Sequence, residues 1–262
     1  MPRRVQVVAH RGASGRHPEH TLQAFEAALQ DGADALECDI RLTRDGVLVC
    51  VHDRKVDRTS DGRGVVSTLE LADLHELDFA SWKGQPDAGE EPDRDAGRVL
   101  TLERLLQLVL DHDSPVQLHI ETKHPTRYGA LVEHALLDLL ERYGLTEPRR
   151  RSESRVAVLS YASISLRRIS ALAPRLPMVL NMDRVPLRRR DGSLPPHVWA
   201  AGVKLQGLRL QPRFVERVHA GGGRVHVFTA DSYEDIDYLL DLGVDAIISN
   251  EPARVVERAA LL

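Results

Sequence analysis

His10, Arg11, Glu37, Asp39 and His52 crowd into the first fifth of the chain, each at or beside a short apolar run. The runs Val5–Ala9, Ala35–Leu42 and Val47–Val51 read as strands, and polar groups at strand ends are where an α/β protein does most of its chemistry. The period of two along the second run puts Glu37 and Asp39 on one face. A fourth run, Val116–Glu121, brings Glu121 and then Lys123 to its own end. Carboxylates converging from separate strands offer the oxygen ligands that a hard divalent cation takes, calcium or magnesium. Zinc fits less well, because Cys and His at conventional ligand spacing are absent. A cation beside Arg11 and Lys123 would hold a phosphoryl group and neutralise charge developing on its oxygens. His10 and His52, with ordinary pKa values near neutrality, would serve as general acid and base. The set describes metal-assisted phosphoryl transfer, although a lone Glu-x-Asp on a strand is commonplace. His119 shares the face of Glu121 and is expected as a hydrogen-bonded core histidine. Trp82 and Trp199 are expected as packing anchors.

The elements that must position these groups alternate. Helical spacing covers 21–30, 102–110, 130–143, 164–172, 212–220, 233–242 and 253–260. Strand-like runs cover 5–9, 35–42, 116–121, 156–160, 178–181, 202–205, 225–228 and 246–248. Asp45-Gly46 is a hairpin signal that returns a further strand to His52. Apart from that hairpin strand, eight strands separated mainly by helices imply a parallel sheet and a (β/α)8 TIM-like barrel. A doubly wound open sheet is the alternative. It lacks its phosphate loop, since no G-x-G-x-x-G follows the first strand, and Gly221-Gly222-Gly223 lies between helix and strand as a cap. Between about 54 and 98 the periodicity fades, with one short helix expected over 69–77. That is too long for a connection in a compact domain, so a small insertion within a single 1–262 domain is expected.

Composition sets the remaining bounds. With 262 residues, 42% hydrophobic and 28% charged, the chain suits one large soluble domain. A net charge of −4 gives no electrostatic case for nucleic acid. The runs Arg149–Arg151 and Arg188–Arg190 stand in loops and read as solvated surface. Cys38 and Cys50 fall inside strand patterns and read as buried thiols. No apolar segment approaches a membrane span, and no signal-peptide core precedes the first strand, so a cytoplasmic protein without stable membrane insertion is expected.

Taken in order, His10-Arg11-Gly12, Pro18-Glu19-x-Thr21, Glu37-x-Asp39, Thr43-x-Asp45-Gly46, Val51-His52-Asp53 and Arg58-Thr59 resemble the motifs of the glycerophosphodiester phosphodiesterases. Ile120-Glu121-Thr122-Lys123, Val225–Thr229 and Gly243–Ile247 resemble later motifs of that family. The resemblance implies a TIM-like barrel with a small insertion after the His-Asp motif. It implies one divalent cation at Glu37, Asp39 and Glu121, an acid-base pair at His10 and His52, and phosphate-binding cations at Arg11 and Lys123. The implied reaction splits a small-molecule glycerophosphodiester, such as glycerophosphocholine or glycerophosphoethanolamine, into glycerol 3-phosphate and an alcohol. Two alternatives accompany it. A lysophospholipase D-type cleavage with a cyclic phosphate product would need an apolar groove, for which Leu77, Phe79 and Trp82 are candidates. A non-catalytic phosphate-binding barrel would be marked by loss of a carboxylate or histidine, and none is lost. Three positions depart from the family pattern: His20 where Asn is usual, Phe228 where Trp is common, and Asn250 in place of an acid. His20 and Phe228, together with Trp82 from the insertion as an alternative to its role as a packing anchor, are the expected substrate pocket.

Overall fold

The computed structural model describes residues 4–84 and 97–261, so the 85–96 part of the expected insertion lies outside the described residues. Nine strands form: β1 (Gln6–His10), β2 (Ala35–Leu42), β3 (Leu48–Cys50), β4 (Gln117–Thr122), β5 (Val156–Ser160), β6 (Met178–Met182), β7 (Ala200–Lys204), β8 (Arg224–Phe228) and β9 (Ala246–Ser249). Eight of them are parallel and close on themselves, because β1 pairs with both β2 and β9. β3 hangs antiparallel on the outer end of β2. The expected barrel is present.

The strands are almost wholly buried, as parallel strands covered on both faces must be. Their outward side chains meet the helices α1 (Leu22–Gln30), α3 (Leu102–Asp111), α4 (Leu131–Arg142), α5 (Ser163–Leu172), α7 (Phe214–Ala220), α8 (Tyr233–Leu242) and α9 (Pro252–Ala259) in one apolar layer. The sequence reading missed one helix, α6 (Leu205–Arg209), and set β7 two residues late. The small residues Ala200, Ala201 and Gly202 carry too little side chain to mark a strand by pattern, yet they are buried against β6 and β8.

The inward side chains divide the barrel by depth. At the floor His119 stacks on His226 with ring centroids 5.5 Å apart, and Trp199 meets His226 edge-on. His119 Nε2 lies 2.8 Å from Gln117 Oε1, so this histidine is the core residue expected. Apolar residues from three strands, Ala157, Leu159, Val179 and Ala200, fill the next level. Charged groups gather at the C-terminal mouth.

After β3 the chain builds a second, smaller core from Val51, Val56, Val66, Leu74, Phe79 and Val99, with the short helix α2 (Leu71–His75) in it. This is the expected insertion, and its helix is shorter than the 69–77 anticipated. Phe79 is buried in that core and Leu77 packs against it, so neither lines an apolar groove. Trp82 remains, half-exposed. Both cysteines are buried and unbridged. No helix among the described residues is long and apolar enough to cross a membrane.

Candidate active site

Register brings the carboxylates together. Asp39 lies opposite Glu121 across the β2–β4 pair, and Glu37 lies opposite His10 across β1–β2. Oxygens of Glu37, Asp39 and Glu121 all fall within 4.8 Å of one another, with the three residues buried. Like charges at such range cannot all ionise unaided. Burial and the neighbouring Asp39 hold Glu37 well above the usual carboxylate range and raise Glu121 as well. Burial would raise Asp39 too, but Lys123 and Arg11 hold it well below that range. Lys123 Nζ bridges Asp39 Oδ1 and Glu121 Oε1, each at 2.7 Å. Arg11 Nε sits 2.9 Å from Asp39 Oδ2 and its Nη1 2.9 Å from Glu19 Oε1. An all-oxygen, over-acidic trio at a barrel mouth fits a hard divalent cation.

The loop after β1 is folded onto this trio. Arg11 takes φ 59° and Gly12 φ 85°, a curl that sends the Arg11 backbone N–H to Glu37 Oε2 at 3.2 Å. Only glycine fits at 12, because an added Cβ would lie 2.6 Å from the Ala24 carbonyl of α1. His20 also adopts a left-handed conformation, φ 62°. Its Nε2 accepts a 3.0 Å hydrogen bond from the Asp39 backbone N–H, which requires a neutral ring, and burial drives its pKa down to about 3. The residue expected in the substrate pocket is therefore packed beneath Asp39 as a support.

The two histidines face the trio with different partners. His10 Nδ1 lies 2.7 Å from Asn250 Oδ1. The Asn250 amide is oriented by its Nδ2 donating to Asp231 Oδ2 at 2.7 Å, so His10 carries its proton on Nδ1. Its bare Nε2 looks into the site, 4.0 Å from Glu37 Oε2. Burial, then Arg11, lowers the His10 pKa to about 4. His52 Nδ1 instead lies 2.8 Å from the Asp53 carboxylate, which Arg58 also binds. Burial lowers His52 as well, opposed by Asp39 and Asp53. Arg58 grips Glu19 with two hydrogen bonds of 2.9 and 2.7 Å, so a continuous polar chain runs from Arg11 through Glu19, Arg58 and Asp53 to His52.

Two openings flank the cluster. One, of roughly 380 Å³, is bordered by His10, Arg11, Glu19, Trp82 and Asn250. The other, of roughly 260 Å³, is bordered by His52, Glu121, Lys123 and Tyr161. Phe228 packs edge-on to Tyr161, ring centroids 6.2 Å apart, so this aromatic stands near the mouth behind Tyr161. All ten residues singled out in the sequence thus lie at or directly under one end of the barrel. Others had gone unremarked. Glu19 and Arg58 stood in quoted motifs without a role. Asn181, whose Nδ2 donates to Glu121 Oε2 at 2.9 Å, carried no signal beyond its place on a strand. Asn250 was visible only as a departure.

A parallel barrel whose C-terminal mouth combines buried oxygen ligands, two fixed cations and two histidines defines a metal-assisted phosphoryl-transfer site in its class. The comparisons narrow that class. Residues 10–254 match the model of the glycerophosphoryl diester phosphodiesterase family, and the chain belongs to that family. It is 46% identical over 250 residues to a Mycobacterium tuberculosis protein named probable glycerophosphodiester phosphodiesterase 1, covering 95% of this chain and 90% of that one. A glycerophosphodiester phosphodiesterase of Bacillus subtilis is 32% identical over 254 residues, covering 96% and 85%. Among solved structures, a phosphodiesterase of Oleispira antarctica in complex with the product sn-glycerol-3-phosphate superposes with a TM-score of 0.83 at 26% identity, covering 98% of this chain and 97% of that one.

Proposed function

We propose that this chain hydrolyses glycerophosphodiesters to glycerol 3-phosphate and an alcohol, with one divalent cation, calcium or magnesium, held by Glu37, Asp39 and Glu121. The observation that carries the reading is the buried carboxylate trio interlocked with Arg11 and Lys123 between two differently partnered histidines. When bound, the cation supplies charge neutralisation at the phosphoryl oxygens. Arg11 and Lys123 orient the phosphoryl group beside it and take up negative charge as the transition state forms.

The partners of the histidines support distinct roles for them. An amide carbonyl on Nδ1 favours neutral His10, whose free Nε2 removes the proton of the attacking water. A carboxylate on Nδ1 stabilises protonated His52, which donates to the departing alkoxide. Phosphorus–oxygen bond formation to water and cleavage to the alcohol then balance with one proton taken and one given. The insertion works with the barrel as one unit, since Arg58 and Trp82 reach the site from it. Free buried thiols suit the cytoplasm as the place of action.

Release of glycerol 3-phosphate from glycerophosphocholine or glycerophosphoethanolamine should require added cation and stop on chelation, with calcium and magnesium compared directly. His10→Ala and His52→Ala should each lower kcat by about 10²- to 10⁴-fold. Near-normal turnover in both variants would remove the acid-base assignment.

A further inference from the structure

The charge around the two openings is not distributed alike. At the His10 opening the cations Arg11, Lys83 and Arg254 are matched in number by Glu19, Asp231 and Glu251. Beyond the His52 opening lies a narrow extension of roughly 30 Å³ that shares Arg41, Arg54 and Lys123 with it. Arg127 and Tyr128 wall its far side, and no Asp or Glu is among the described residues that line it. In a chain whose 39 acids outnumber its 35 Lys and Arg, three arginines beside the already paired Lys123, with no acid among the described lining residues, are a selective concentration of charge.

The three arginines have capacity to spare. Arg41 points inward two residues beyond Asp39, partly buried, and its Nε and Nη2 both donate to the His52 carbonyl oxygen at 3.0 and 2.7 Å. It forms no ion pair with a carboxylate among the described residues, and burial lowers its pKa. A guanidinium removed from water and satisfied by one carbonyl leaves donors for an anion. Arg54 is exposed and makes no side-chain hydrogen bond or ion pair among the described residues. Arg127 rests over the Tyr128 ring, 5.6 Å from its centroid, likewise without a carboxylate.

We propose that the hollow formed by Arg41, Arg54 and Arg127 binds a second anionic group on the alcohol half of the substrate. The preferred substrates are then glycerophosphodiesters whose head group ends in a phosphate or a carboxylate. This rests on the hydrolytic reading above, and it follows from His52 serving the departing alcohol on the side where the hollow opens. The terminal anion meets three guanidiniums while the diester phosphate sits between Arg11 and Lys123. Guanidiniums accept both oxyanions in fork geometry, so the hollow alone does not separate phosphate from carboxylate.

Three probes built on one alcohol decide the matter: glycerophosphoglycerol, its terminal phosphate monoester, and glycerophosphoglycerate. The wild type should turn over at least one anionic probe with kcat/KM about tenfold above glycerophosphoglycerol, the gain lying in KM and shrinking with added salt. Comparison of the two anionic probes identifies the terminal group. In the doubly substituted variant Arg54→Gln, Arg127→Gln the preference should fall to within about twofold, and the corresponding double Lys variant should restore most of it. Equal kcat/KM for neutral and anionic probes in the wild type, or a preference that survives the Gln pair, overturns the proposal. Calorimetry with the His52→Ala variant gives the same comparison without turnover. Tighter binding of an anionic probe, lost with the Gln pair, supports the hollow even where no probe is hydrolysed, an outcome that would count against the hydrolytic reading instead.

Discussion

Of the ten residues read from sequence, His10 carries the most direct consequence. Its ring is partly buried and its pKa is lowered to about 4, first by loss of water around it and then by Arg11. A base must be neutral to act, so activity should fall as pH drops through the His10 pKa rather than through the ordinary value near 6.5. The acid limb of kcat/KM, measured with cation saturating at each pH, should therefore lie well below 6. A limb at 6.5 or above would show that an unperturbed histidine controls the rate. The nature of these residues was plain in the sequence, because type and order alone identify carboxylates, cations and histidines. Their supports were not. Asn250 and Asn181 act through strand ends that only the closed barrel brings within reach of His10 and Glu121. His20 was misjudged for a similar reason: its left-handed backbone and its bond to Asp39 are products of the loop's curl, which no spacing rule displays.

Among the elements, β2 was legible to the residue, since its alternating pattern and flanking turns leave one register. β7 was not, and it holds an undervalued control point. Gly202 faces the barrel interior beside Asn181, and a Cβ there would come within 2.0 Å of Asn181 Oδ1. Asn181 is the residue that holds Glu121 by its second oxygen. Gly202→Ala should push Asn181 aside and free Glu121. Groups that orient a metal ligand are commonly worth 10- to 100-fold in affinity. Titration of the apoprotein with calcium or magnesium should show a loss of that order in the variant with the fold intact by circular dichroism. An unchanged affinity would mean that Asn181 contributes nothing to the ligand set.

The molecule as a whole is polarised by depth, with titratable groups at both ends of one barrel and apolar residues between. The floor carries a cost that it shares with the buried His20 of the mouth. Burial lowers His119 to about 4 and His226 well below its usual value, with His119 itself and Arg224 adding to the shift at His226. In the unfolded chain both rings take up protons near pH 6.5, whereas in the barrel they stay neutral. Stability is thus fully present above pH 6.5 and is lost as pH falls towards 4, with His119 alone contributing on the order of 2–3 kcal/mol. Denaturant midpoints measured with a chelator present should decline across that window, and His119→Gln should flatten part of the decline. A midpoint independent of pH between 7 and 4.5 would contradict a neutral stacked pair. The barrel class itself followed from strand-helix alternation, but the stacked floor did not, because the contact of His119 with His226 joins strands over a hundred residues apart in sequence.

The placement of the two histidines at separate openings has a stereochemical consequence. His10 borders one opening and His52 the other, with the carboxylate trio and its two cations between them. A nucleophile entering beside one ring and a leaving group departing beside the other occupy opposite apices of a pentacoordinate phosphorus. A single displacement by water must then invert the configuration at that atom. Attack by a neighbouring hydroxyl of the substrate, followed by ring opening, would be two inversions and would return it. A chiral phosphorothioate diester hydrolysed in isotopically labelled water distinguishes the two courses, and inversion is the outcome that this mouth dictates.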